Sequence, residues 1–222
     1  RKALHNYELL DPEHHHPLTL DILKGLANTL LEEARLEEAR DLYQEVVTKS
    51  EADSLEAHQA RQGLASICST LGEYDQAEQI LLPVVGYYED TDAPSIQSFD
   101  RLATVLGSLG GIKLEQGDFK KAEELYTRSL ELRRRTAPGR PSVAASMNNL
   151  ALLYADIGDL TRAEPLYREA LEIHEDSLGP IHPRTSTSLN NLALLLSRQG
   201  KREQAEPLLL RSLESERSCK GK

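Results

Sequence analysis

Apolar residues recur along this chain at the spacing of an α-helix, and the pattern is interrupted at regular intervals by a small turn residue. Leu150, Leu153, Tyr154 and Ile157 precede Gly158, and Leu160, Ala163, Leu166, Tyr167, Ala170 and Leu171 follow it. That pattern predicts two amphipathic helices joined at a glycine. The same frame recurs in five registers: an apolar–small pair, seven residues to a turn position, then five residues to an alanine. The registers are Leu26-Ala27, Ala34, Ala39; Leu64-Ala65, Gly72, Ala77; Leu109-Gly110, Gly117, Ala122; Leu150-Ala151, Gly158, Ala163; and Leu192-Ala193, Gly200, Ala205. The final alanines are spaced 38, 45, 41 and 42 residues apart, so insertions fall between units and not within the turn, as loops allow.

Each position in the frame has a physical reason. The small residue of the pair lets the first helix approach the second closely, and glycine at the turn supplies a left-handed backbone at no steric cost. Ala34 departs from this, so the first turn is expected to be tighter or more helical. Gly179 ends one helix and Pro183 opens the next, because proline suits the first helical turn. Pro83, Pro165 and Pro207 fall inside second helices, where each removes a backbone donor and is expected on the outer, convex side. The glycines at 107, 110 and 111 make the third unit a candidate hinge or a loosely packed region.

The run Ala163-Glu164-Pro165-Leu166-Tyr167, then Ala170-Leu171-Glu172-Ile173, Leu178-Gly179-Pro180-Ile181-His182-Pro183 and Leu189-Asn190-Asn191-Leu192-Ala193 resembles the long form of the tetratricopeptide repeat found in kinesin light chains. The resemblance is strong over residues 141–214 and weaker over 17–134. It implies an all-α fold, a right-handed tetratricopeptide (TPR) superhelix or α-solenoid of helix-turn-helix repeats. The units expected are 17–53, 54–92, 96–136, 141–178 and 183–217. Residues 1–12 are read as the second helix of a truncated preceding repeat and 218–222 as a tail. The opening helix and the lack of a polar capping helix after the fifth unit point to a longer parent protein.

In such arrays the first helix of each unit lines a concave groove. Counting from the apolar–small pair places Lys24, Asn28, Gln62, Ser66, Asn148, Asn149, Leu152, Asn190, Asn191 and Arg198 on or beside that face, with Asp21, Gln59, Thr104, Ser108, Asp156 and Leu194 in the same lining. The lining reads as polar and nearly neutral. Asparagine is a poor helix former by several tenths of a kcal/mol, so four of them in paired positions need a reason. Either their amides meet the backbone of an extended peptide, or they bond across units as a ladder that fixes repeat spacing. Lys24 and Asn28 resemble the start of the carboxylate clamp of chaperone-binding TPR domains. Gly63, Thr104 and Ser108 stand at the later positions, so chaperone-tail binding is not predicted. Kinesin light chains receive acidic, aromatic-bearing peptides in a basic groove, a charge this count does not reproduce.

Composition narrows the function further. Charged residues make up 28% of the 222, tryptophan is absent and the net charge is −10, which disfavours nucleic acid and anionic membranes as partners. No apolar run is long enough to span a bilayer. Cys68 and Cys219 lie far apart and no Asn-x-Ser/Thr site occurs, which fits a reducing, cytoplasmic setting. No Gly-x-Ser-x-Gly, Walker loop, His-Glu-x-x-His or Cys-x-x-Cys is present, so no enzyme, cofactor or metal site is expected. His14, His15 and His16 read as an inter-repeat loop, Arg133, Arg134, Arg135 and Arg140 as cations favoured at a helix end, and Cys68 as a packed hydrophobe.

The function expected is a protein–protein interaction scaffold that holds a partner protein or peptide segment in its groove, as part of a larger protein. The alternative is a sensor or autoinhibitory arm of a signalling NTPase or protease, its groove closed by intramolecular contact with other domains. A third reading is assembly with copies of itself.

Overall fold

The structure, a computed structural model, describes residues 17–90 and 95–220. The helix expected over 1–12 and the histidine run at 14–16 lie outside the described residues. Among the described residues there are ten α-helices and no strand, and the chain forms two compact units, residues 1–93 and 94–222.

The N-terminal unit contains α1 (Pro17–Glu32), α2 (Leu36–Lys49), α3 (Leu55–Thr70) and α4 (Tyr74–Glu89), paired as two hairpins. Leu23, Ala27, Ala39 and Val46 are fully buried between α1 and α2, and Tyr43, Ala60 and Ile67 carry the core on to the next hairpin. The C-terminal unit contains α5 (Ile96–Glu115), α6 (Phe119–Thr136), α7 (Pro141–Asp156), α8 (Leu160–Leu178), α9 (Pro183–Arg198) and α10 (Arg202–Lys220). It forms three hairpins, each packed on its neighbour, and first helices also touch across hairpins, as α5 does α7. Met147, Leu153, Leu189, Leu192 and Leu196 fill its core. The fold is the all-α TPR arrangement of helix-turn-helix repeats.

The five turns share one hydrogen-bond pattern. The amide of the turn residue donates three residues back, Gly158 to the Ala155 carbonyl for example, and the next amide donates five back, Asp159 to the Tyr154 carbonyl. This is the Schellman arrangement, which needs a left-handed residue. Gly72, Gly117, Gly158 and Gly200 supply it with φ of 78°, 75°, 84° and 78°. Ala34 corrects the expectation for the first turn: it adopts φ 57° and the same two bonds, Ala34 to Leu31 and Arg35 to Leu30. The tertiary contacts of the hairpin impose one geometry and the alanine tolerates it.

The small residues behave as their positions require. Ala27, Ala65, Gly110, Ala151 and Ala193 are all buried, as are the five alanines after the turns. Gly110 sits in an unbroken helix, where a Cβ would lie 2.7 Å from the Tyr126 ring. Its role is close approach of the ring. Pro83, Pro165 and Pro207 stand on exposed faces of α4, α8 and α10. Pro141 and Pro183 open α7 and α9, and the α9 entry is further held by Thr185, whose hydroxyl donates to the Gly179 carbonyl at 2.8 Å.

Candidate functional site: the first-helix face of the C-terminal unit

Two open concavities lie side by side on the first-helix face of this unit. One, of about 450 Å³, is lined by Arg133, Ser142, Ala145, Asn148, Asn149, Leu152, His174, Arg184, Thr187 and Asn191. The other, of about 460 Å³, is lined by Leu152, Ala155, Tyr167, Asn191, Leu194, Leu195, Ser197 and Arg198. Leu152 and Asn191 belong to both.

Of the residues counted from sequence, Asn148, Asn149, Leu152, Asn191, Leu194 and Arg198 come together here. Asn190 is exposed and lines neither concavity. Leu152 and Leu194 occupy the same position in successive repeats and are 46% and 53% exposed, which leaves two apolar side chains in register on a concave face.

The lining of the two concavities includes three arginines and no carboxylate. The near-neutral reading is corrected at this point. It left out Arg133, which reaches in from the end of the second helix α6, and Arg184, which stands in the first turn of the first helix α9 ahead of the positions counted.

Arg133 is held by both flanking first helices. Its guanidinium donates to the Ser142 carbonyl at 3.1 Å, to Ser146 Oγ at 2.8 Å and to Thr104 Oγ1 at 2.8 Å. Nε lies 3.4 Å from Asp100 Oδ1, a contact of charge without hydrogen-bond geometry. Burial pulls this guanidinium below its usual range and Asp100 opposes that. Neighbouring arginines thus diverge: Arg133 turns inward, while Arg134 pairs with Glu169 at 2.9 Å on the outer side.

His174 fills the same position one repeat later, eleven residues after Ala163 as Arg133 is after Ala122. Its Nδ1 lies 2.9 Å from Ser188 Oγ, the counterpart of the Arg133–Ser146 contact. Asn148 Nδ2 donates to the same Ser188 Oγ at 3.2 Å. Asn148 therefore does cross to the next hairpin, but to a serine and not to another asparagine. Asn148 Oδ1 and His174 Nε2 are buried without a hydrogen-bond partner, an uncommon condition in a folded interior. Burial first, then the neighbouring Arg184 and His182, hold the imidazole below its ordinary value. A second serine set repeats in register, Ser129 donating to the Ala103 carbonyl at 2.7 Å and Ser212 to that of Ser186 at 3.1 Å.

Arg133, His174 and Arg184 are the residues that reading the sequence missed. The signal available was the shared register of Arg133 and His174, each facing a serine in the next first helix, Ser146 and Ser188.

In the N-terminal unit Lys24 is spent internally, donating to Gln59 Oε1 at 2.7 Å and pairing with Asp21 at 2.8 Å. Asn28 Oδ1 accepts from the Tyr43 hydroxyl at 2.5 Å. Gln62 is half-buried and Ser66 exposed on α3. Cys68 is buried and free, its thiol pushed up by burial and by Glu73, which keeps it protonated and unreactive. Among the described residues no helix is long and apolar enough to cross a membrane, and no group of three or more metal-ligating side chains occurs.

A family model described as tetratricopeptide repeat matches residues 101–176 and again 142–217, together more than half of the chain. A second model of the same description matches residues 24–85. No curated protein matches. Among solved structures the chain is similar to BtubC (BKLC) from P. vanneervenii, with 21% identity, 100% of this chain and 88% of that one covered, and a TM-score of 0.76. It is similar to a putative kinesin light chain of Podosopora anserina with nearly identical TPR-like repeats, at 22% identity, 92% and 98% coverage and a TM-score of 0.69. The apo form of RapI matches at 14% identity, 91% and 72% coverage and a TM-score of 0.72. At these identities the likeness is one of fold.

Proposed function

Because this chain belongs to the tetratricopeptide-repeat family, we propose that it acts without catalysis, as a scaffold that holds a segment of a partner protein against its first-helix faces. The observation that carries this is the pair of adjoining concavities lined by asparagines, two exposed leucines in register and three arginines, with no carboxylate among them. Leu152 and Leu194 take apolar side chains of the segment, and Arg184 and Arg198, both exposed, take its carboxylates. Asn149 and Asn191 offer amides that donate and accept, which suits a peptide backbone. Asn148 is engaged with Ser188 and supports the floor. In the N-terminal unit Lys24, Asn28, Gln62 and Ser66, and on α9 the exposed Asn190, are secondary contacts of the same kind.

Such contacts reach about micromolar affinity, near −8 kcal/mol, so a lasting complex calls for a second attachment. The test is selection of a random peptide library on the full chain. Enriched peptides are then measured against the wild type, Leu152→Ala with Leu194→Ala, and Arg184→Glu. Peptides that pair carboxylates with apolar residues, and that lose about tenfold or more in affinity with either variant, support the reading. Peptides indifferent to both variants move the binding surface off this face.

A further inference from the structure

The register shared by Arg133 and His174 puts a permanent cation at one junction between hairpins and a titratable group at the next, both lining one concavity. We propose that this concavity takes a carboxylate of the bound segment together with a proton, which His174 accepts. The proposal rests on the reading that an acidic segment occupies this face, and it adds the regulation of that binding.

The groups around the ring set the coupling. From α9 and the turn before it come the Arg184 side chain and His182, which oppose a charged ring, the Arg184 backbone, which favours one, and the Ser188 hydroxyl. From α7 come Asn148, joined through Ser188, and the Pro141 carbonyl, which favours the charged ring without meeting hydrogen-bond geometry at Nε2. Arg133 enters the same concavity from α6. On the α10 side Arg211 and Glu175, next in sequence to His174, are joined to each other. No carboxylate lines the concavity, so a positive ring there meets cations and a desolvated setting, and stays neutral near pH 7.

A carboxylate paired with Arg184 offsets the guanidinium that opposes protonation and adds an attractive charge. His174 then takes up a proton from solvent, and its Nδ1–H donates to Ser188 Oγ. The Ser188 hydroxyl hydrogen re-aims, and the new imidazole N–H, its proton drawn from solvent, is the one covalent bond formed. By linkage, affinity for a carboxylate-bearing segment rises as pH falls, by at most about tenfold per pH unit for one proton. Glutamates of the segment, with pKa about 4.3, stay charged through this range.

The experiment uses the full chain and the probe acetyl-Glu-Leu-Glu-Leu-Glu-amide, with its all-glutamine counterpart as control. The affinity of each is measured from about pH 7.5 to 5.5, and the His174 and His182 imidazoles are followed by NMR with and without probe. The expected result is a severalfold or greater rise in affinity for the glutamate probe toward pH 5.5. The His174 midpoint moves up on binding, and the pH dependence is flattened in His174→Gln. Glutamate-probe binding that is pH-independent, with an unmoved His174 midpoint, overturns proton coupling and leaves the acidic-segment reading standing. Equal affinity for both probes, or none for either, overturns that reading and this proposal with it. Should His174→Gln fail to fold, the midpoint measured in the wild type decides alone.

Discussion

Single residues in this chain are constrained by backbone shape at some positions and by ring contacts at others. Ala34 is the one described non-glycine residue at positive φ, and a Cβ in that region costs about 1–2 kcal/mol. Ala34→Gly is expected to raise unfolding free energy by about 0.5–1 kcal/mol, the relief exceeding the extra chain entropy of glycine; denaturant titration measures it. The glycines of α5 divide sharply. A Cβ at Gly110 meets the Tyr126 ring at 2.7 Å, whereas one at Gly107 finds nothing nearer than 3.8 Å. Gly110→Ala should therefore cost about 1–3 kcal/mol by overpacking, and Gly107→Ala should gain up to about 1 kcal/mol through helix propensity. If both variants were stabilised, the close packing at Gly110 would be refuted, and slow hydrogen exchange across residues 102–116 would remove the hinge reading independently.

Helices are joined to one another by apolar burial and by a small set of polar ties whose charge state matters. Glu164 on α8 accepts from Arg168 at 2.7 Å and from Lys201, just before α10, at 2.8 Å. These bonds hold its carboxyl down at about 2 against an ordinary 4.5. A depressed carboxyl stabilises the fold above its unfolded value and loses that contribution as pH falls toward the folded one. Acid titration of stability from pH 4.5 to 2 should thus be shallower in Glu164→Gln. His174 acts in the window above. Its neutral form is the buried one, so its contribution is complete above about pH 6.5 and declines as pH falls through its lowered folded value. Melting temperature measured from pH 7 to 5 in the absence of any segment should fall less in His174→Gln than in the wild type.

At the scale of the whole molecule, charge and local lining disagree in sign. The chain carries a net −10, yet the lining of the two concavities of the C-terminal unit holds Arg133, Arg184 and Arg198 and no carboxylate, Asp100 meeting Arg133 from outside that lining. An acidic segment therefore approaches a molecule that repels it at long range and attracts it at close range. With a Debye length of about 8 Å at physiological salt, the local attraction survives better than the repulsion. Affinity for the glutamate probe should accordingly change only by a small factor between about 50 and 300 mM salt, and Arg184→Glu should cost far more at either. A steep loss with salt would show that long-range charge, and not close pairing in the concavities, carries the binding.

The sequence by itself determined the repeating unit. Helix periodicity, the invariant distance from small pair to turn to alanine, and the glycine at four of five turns are local properties, because hairpin geometry depends on residues within about one repeat of each other. It also placed Asn148, Asn149, Leu152, Asn191 and Arg198 on the concave face, since a first-helix position follows from counting. Only the tertiary structure decided the charge of that face. Arg133, His174 and Arg184 enter it from a second-helix end or a first turn, and the direction of Arg133 and His174 depends on which serine or carbonyl of the neighbouring hairpin lies within reach. The fate of Lys24 and Asn28 was decided in the same way, by Gln59 of the next hairpin and by the Tyr43 hydroxyl of the partner helix. Contacts between hairpins join side chains 13 residues apart, as with Arg133 and Ser146, or 40 apart, as with Asn148 and Ser188, and register alone does not record which of several polar groups will meet.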